Sequence, residues 1–128
     1  MANVKDFICA ELKNPFVWGW TDCCAMADRW VQEVCGFSPL AKYGRKHVAE
    51  MDAQAWLNEP GGIVKAVWRV MRRAGFKRTT VPREGDVGLC IAGQDRICTA
   101  IFNGHHWVSR DASGWILSDK TLLAWRVV

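Results

Sequence analysis

The sequence predicts an α+β fold in which N-terminal helices are followed by a small antiparallel β-sheet, and three observations carry that expectation. Apolar residues recur at helical spacing up to Gly75, whereas beyond it they gather in short runs of strand length. Asn103-Gly104 and Ala112-Ser113-Gly114 punctuate those runs with hairpin and turn chemistry. The 128 residues, 50% hydrophobic and 23% charged, suit one globular domain spanning residues 1–128.

Taken in order, Asn3 caps a first helix through about Lys13, with Phe7, Ile8, Glu11 and Leu12 at helical spacing and Asn14-Pro15 as the stop. Phe16 to Trp20 reads as an aromatic loop. Thr21 or Asp22 then caps a second helix, whose stripe is Cys23, Ala27, Trp30, Val31 and Val34 and which ends at Gly36. Ser38-Pro39 opens a short helix or turn, and His47 to Leu57 reads as a further helix stopped at Asn58-Glu59-Pro60-Gly61-Gly62. Ile63, Val67, Val70, Met71 and Ala74 form the apolar face of the last helix, opposite Lys65, Arg69, Arg72 and Arg73. Strands are expected at Val87–Ile91, Ile97–Phe102, His105–Ser109, Trp115–Leu117 and Leu122–Val127.

Composition excludes several classes of function. The longest stretch free of Asp, Glu, Lys and Arg, Ile97 to Ser109, is too short and too polar for a membrane span. Basic residues outnumber acidic ones by 17 to 13, and the excess is spread evenly along the chain, so no nucleic-acid-binding tail is expected. The opening residues show no basic segment followed by an apolar one, so no secretory leader is expected. Six cysteines include the adjacent Cys23 and Cys24, fit no disulfide framework and contain no C-x-x-C, which speaks for reduced thiols and against a redox motif. No Cys/His set has metal-ligand spacing, so neither a metal nor another cofactor is expected.

Chemistry concentrates at Phe16 to Cys23. A cysteine in the first turn of a helix meets unpaired backbone N–H groups, which favour the nucleophilic thiolate and can hold an oxyanion. Cys23 is the candidate nucleophile on this reasoning, although free cysteines are more often simply small buried hydrophobes. Trp18, Trp20 and Asp22 flank it as candidate cleft residues, able to contact a ligand or a neighbouring protein.

The ordered motifs F-V-W-G-W-T-D-C (Phe16–Cys23), A-D-R-W-V (Ala27–Val31), E-G-D-V-G (Glu84–Gly88) and A-W-R-V (Ala124–Val127) resemble small phage and prophage proteins related to the NlpC-type papain-like cysteine peptidases. The resemblance implies a papain-like fold with Cys23 as nucleophile. It also implies a place at a phage tail tip in the virion, with assembly in the host cytoplasm among other tail-tip proteins and contact with peptidoglycan. In that superfamily a Gly-Asp pair opens the first strand and a histidine begins the next. Here Asp95 to Phe102 contains no histidine. Counting back from Asn103-Gly104 places Cys98 in the histidine's column, facing Cys23, and puts the third, orienting position near Ser109 or Arg110. His105 and His106 are weak candidates for the base, reaching the thiol only if their hairpin bends over the cleft, while His47 is expected merely to sit on its helix. Two functions follow: a tail-tip structural component with a degenerate site, which the missing base favours, or an active peptidoglycan-cleaving cysteine endopeptidase that assists cell-wall penetration.

Overall fold

The computed structural model describes residues 2–44 and 47–128. Five helices come first: α1 (Val4–Glu11), α2 (Cys23–Cys35), α3 (Pro39–Tyr43), α4 (Glu50–Leu57) and α5 (Gly62–Arg73). Five strands follow: β1 (Val87–Ala92), β2 (Arg96–Phe102), β3 (Trp107–Asp111), β4 (Gly114–Ser118) and β5 (Thr121–Trp125). All pairings are antiparallel and the order is β4-β3-β2-β1-β5. The fold class is therefore α+β, with the helical and strand regions divided as the change of periodicity predicts.

Local chemistry explains where the helices start. The Asn3 side chain accepts from the N–H groups of Lys5 and Asp6, Asp22 accepts from Ala25, and Ser38 accepts from Ala41. Of the two candidate caps of α2, Asp22 is the one used. Thr21 instead accepts from Val17 N–H and donates to the Pro15 carbonyl, both at 2.6 Å, which folds the aromatic loop. Two starts differ from expectation by two residues or more. The α4 helix begins at Glu50 rather than His47, because the Asp52 carboxylate receives the N–H groups of Val48 and Ala49 and ends the helix there. The β3 strand begins at Trp107 rather than His105, because Asn103 Oδ1 accepts from both His105 and His106 N–H and uses those residues in the turn.

The sheet cannot lie flat. Its edge strands β4 and β5 are joined only by Asp119 and Lys120, a link of about 11 Å at most. Five flat strands would hold the edges about 19 Å apart. The sheet curls instead, and β4 is drawn over β1, where Ser118 Oγ donates to the Ile91 carbonyl and Ile91 N–H donates to the Lys120 carbonyl. Inside the curl Cys90, Cys98, Ala100, Trp107 and Ala124 form one apolar cluster. The opposite face sends Val87, Leu89, Ile101 and Trp125 into the main core with Phe7, Trp30, Val31 and Met71 of the helices.

A buried carboxylate locks helices to sheet. Asp86, which opens β1 and is fully buried, accepts from the N–H groups of Arg83 and Val127 and from Arg126 Nε. One residue earlier, the Gly85 carbonyl receives the indole N–H of Trp30 at 2.7 Å. Three motifs separated along the chain thus meet in one hydrogen-bonded knot, and their residues there are structural.

The curl also makes Gly88 irreplaceable. A Cβ at Gly88 would lie 2.5 Å from Trp107 Cη2, and it would collide with the Leu123 backbone carbonyl. We expect Gly88→Ala to lower unfolding stability by about 1–3 kcal/mol, seen as an earlier urea midpoint at unchanged slope. An unchanged midpoint would contradict the close approach of Trp107.

Candidate functional site

The site is built on the first turn of α2. Its cap Asp22 is buried and receives three groups: the N–H of Ala25 at 3.0 Å, the N–H of Gly19 at 2.6 Å, and the imidazole of His47, whose Nε2 lies 2.9 and 3.0 Å from the two carboxylate oxygens. The His47 side chain is only 6% exposed. Gly19 has φ +82°, and a Cβ there would lie 2.6 Å from the Val48 carbonyl carbon, so only glycine lets the aromatic loop and the His47 segment approach this closely.

Electrostatics follow from that geometry. The Asp22 hydrogen bond and its negative charge outweigh burial and raise the His47 pKa above its ordinary value of 6.5. Burial works to raise Asp22, but His47 and the N–H groups of Ala25 and Gly19 together bring it below 3.8. The two shifts have opposite signs in linkage. The raised His47 adds stability that is complete below pH 6.5 and is lost as pH climbs through its folded pKa, whereas the lowered Asp22 adds stability that is present above pH 3.8 and is lost as pH falls through its folded value. The couple is therefore strongest between those two pH values.

Beyond the cap, Cys23 and Cys24 are both half-buried. Cys24 Sγ lies 3.2 Å from the Thr99 hydroxyl on β2. The Cys24 thiol donates to the Cys23 sulfur, and this outweighs burial and the nearby Asp22 charge, lowering the Cys23 pKa with help from the Thr99 backbone N–H. The same proton sharing, added to burial, raises Cys24 well above 9.0. At the helix start, then, one thiol is biased toward thiolate and its neighbour holds the proton.

The other expected site residues fall elsewhere. Cys98 does not face Cys23: it pairs across strands with Cys90 and turns into the cluster inside the curl, where burial raises its thiol pKa. Side chains alternate along a strand, so the expected column is off by one residue and Thr99 takes the place facing the cysteine pair. His105 and His106 lie exposed in the β2–β3 turn, their N–H groups held by Asn103, and neither is brought to the thiol. His47 is not on a helix at all. It precedes α4 and is the histidine that reaches the α2 start. Trp18 lines a cavity beside Cys23 and packs edge-on to Phe16, while Trp20 is largely exposed under the Arg29 guanidinium. Of the two orienting positions, Ser109 donates to the Thr99 carbonyl at 2.8 Å and Arg110 lines the cavity.

All six cysteines carry free thiols. Among the described residues no three His, Cys, Asp or Glu side chains converge to hold a metal ion, and no helix is long and apolar enough to cross a membrane. Papain-type turnover requires a base within hydrogen-bond reach of the thiol. A threonine hydroxyl does not serve as one at neutral pH, and among the described residues the His47 ring, bonded to Asp22 through Nε2, makes no hydrogen bond to either cysteine.

Residues 2–127 match a family described as a domain of unknown function, DUF6950, and the chain belongs to that family. No curated protein and no solved structure matches the chain.

The unequal thiols make a direct prediction. Cys23 alkylation by iodoacetamide should reach half its maximal rate at a lower pH than alkylation of Cys35, whose thiol burial pushes up. Cys24→Ala, by removing the donor, should move the Cys23 profile to higher pH. Peptide mapping that finds the Cys23 profile unmoved by this substitution would contradict the proton sharing.

Proposed function

We propose that this chain is a structural component of a phage tail tip, built on a papain-like, NlpC-type fold whose catalytic site has lost its base. The observation that carries the reading is Thr99: it holds the β2 position facing the cysteine pair, where the resembled peptidases place a histidine. Two further features support it. The Gly85-Asp86 pair at the start of β1 and Trp30 of α2 serve as a structural knot, as a fold kept for its architecture requires. Around the site, Trp20, Val48 and Met51 leave apolar surface exposed on the adjoining loops and the first turn of α4, suited to neighbouring tail-tip proteins in the virion. Assembly in the host cytoplasm keeps the thiols reduced.

A second reading, an active peptidoglycan-cleaving cysteine endopeptidase that helps a phage penetrate the cell wall, draws on one specific observation. Cys23 has a lowered pKa and stands next to the buried Asp22–His47 couple. Against it, the His47 ring is hydrogen-bonded to Asp22, and among the described residues no hydrogen bond joins it to the Cys23 sulfur.

Purified protein incubated with peptidoglycan sacculi should release no soluble stem peptides above buffer, and Cys23→Ala should be indistinguishable from the parent. Release that disappears in Cys23→Ala would establish the second reading instead. The structural role is checked separately by mass spectrometry of purified particles, which should contain the chain; particles that are complete and infective after its deletion would contradict it.

A further inference from the structure

Beside the cysteine pair, a cavity of about 310 Å³ runs between α2, α4, α5 and the sheet. It is of a size that takes small organic ligands. Its α2 wall extends from Cys23 to Val31, eight helical steps and so about 12 Å of helix. Phe16, Ala27, Val31, Val67, Val70 and Met71 give it mostly apolar walls. An alkyl chain would fit such walls, but the charges on the lining say more about the ligand.

Each aspartate on the lining is already engaged. Asp22 holds His47, Asp28 accepts from the Ser38 hydroxyl and the Leu40 N–H, and Asp111 pairs with Arg96 and accepts from Ser113 and Gly114 N–H. Arg110 differs. It is 94% buried by its 6% exposure, yet among the described residues it forms no ion pair. Its two terminal nitrogens donate to the backbone carbonyls of Glu11 and Asn14, at 3.4 and 3.1 Å. Its guanidinium stands 4.5 Å from the Trp115 ring centroid, and its Nε is buried with no hydrogen-bond partner among the described residues. A buried cation on the wall of an apolar cavity, without a counter-ion among the described residues, is costly unless an anion completes it.

We propose that this cavity binds a medium-chain monocarboxylate, with the carboxylate on Arg110 and the alkyl chain along α2 past Cys23. This site is independent of whether Cys23 is catalytic, because Arg110 and the apolar walls take no part in thiol chemistry.

Calorimetric titration of the purified protein with decanoate and with 1-decanol tests it. The parent should bind decanoate more tightly than decanol. Arg110→Gln should weaken decanoate about tenfold or more and leave decanol within about threefold, the loss expected for a charge-assisted hydrogen bond. Ala53→Trp, which fills the cavity from α4, should abolish both. Should Arg110→Gln fail to fold, [1-¹³C]decanoate bound to the parent supplies the readout: its carboxyl should stay ionised to lower pH than free decanoate. Equal affinity for acid and alcohol, undiminished decanoate binding in Ala53→Trp, or a bound carboxyl that protonates at higher pH than the free acid would each overturn the proposal.

Discussion

A single buried carboxylate organises the functional end of this molecule. Asp22 caps α2, fixes the aromatic loop through Gly19 and receives His47 from a segment 25 residues away. Removing the cap alone would cost about 1 kcal/mol, but the larger consequence is positional. Without Asp22 the imidazole has no partner to hold it against the helix start, and the aromatic loop loses the anchor that brings it to Val48. The cysteine pair is placed by the same turn of helix, so its surroundings depend on that carboxylate too. Asp22 also acts against the thiolate it positions: its charge raises the Cys23 pKa, and only the Cys24 proton and backbone N–H groups reverse the balance.

A second carboxylate performs the corresponding task at the start of β1. Asp86 ties the turn before β1 to the chain's last residues, while Trp30 reaches the neighbouring carbonyl from α2. Conserving such a knot preserves the packing of helices on the curled sheet whatever happens at the thiol. A fold can thereby outlive its chemistry, and a cavity of its own can remain available for a ligand.

How much of this was legible in the sequence depended on range. Helix stripes, caps and the division between helices and strands are local patterns, so Asn3, Asp22, Ser38 and Gly36 marked their boundaries correctly. The helix start carrying Cys23 was legible for the same reason. Facing across the sheet was not: Cys98 and Thr99 are adjacent, and a shift of one residue exchanges the side chain that meets the cysteines for one that enters the curl. The turn after β2 was misjudged as well, since Asn103 occupies both histidines with its side chain and the hairpin takes four residues instead of two. His47 carried no local signal at all. Its role comes from a contact with Asp22 that exists only after α3 and α4 have packed, and its helical spacing to Leu57 pointed the wrong way.

Asp22 holds His47 through its Nε2 and raises the imidazole pKa. Measuring the His47 imidazole pKa by NMR, in the parent and in Asp22→Asn, tests this most directly. The account predicts a parent value above 6.5 that falls in the variant. A parent value at or below 6.5, unmoved by Asp22→Asn, would contradict the couple.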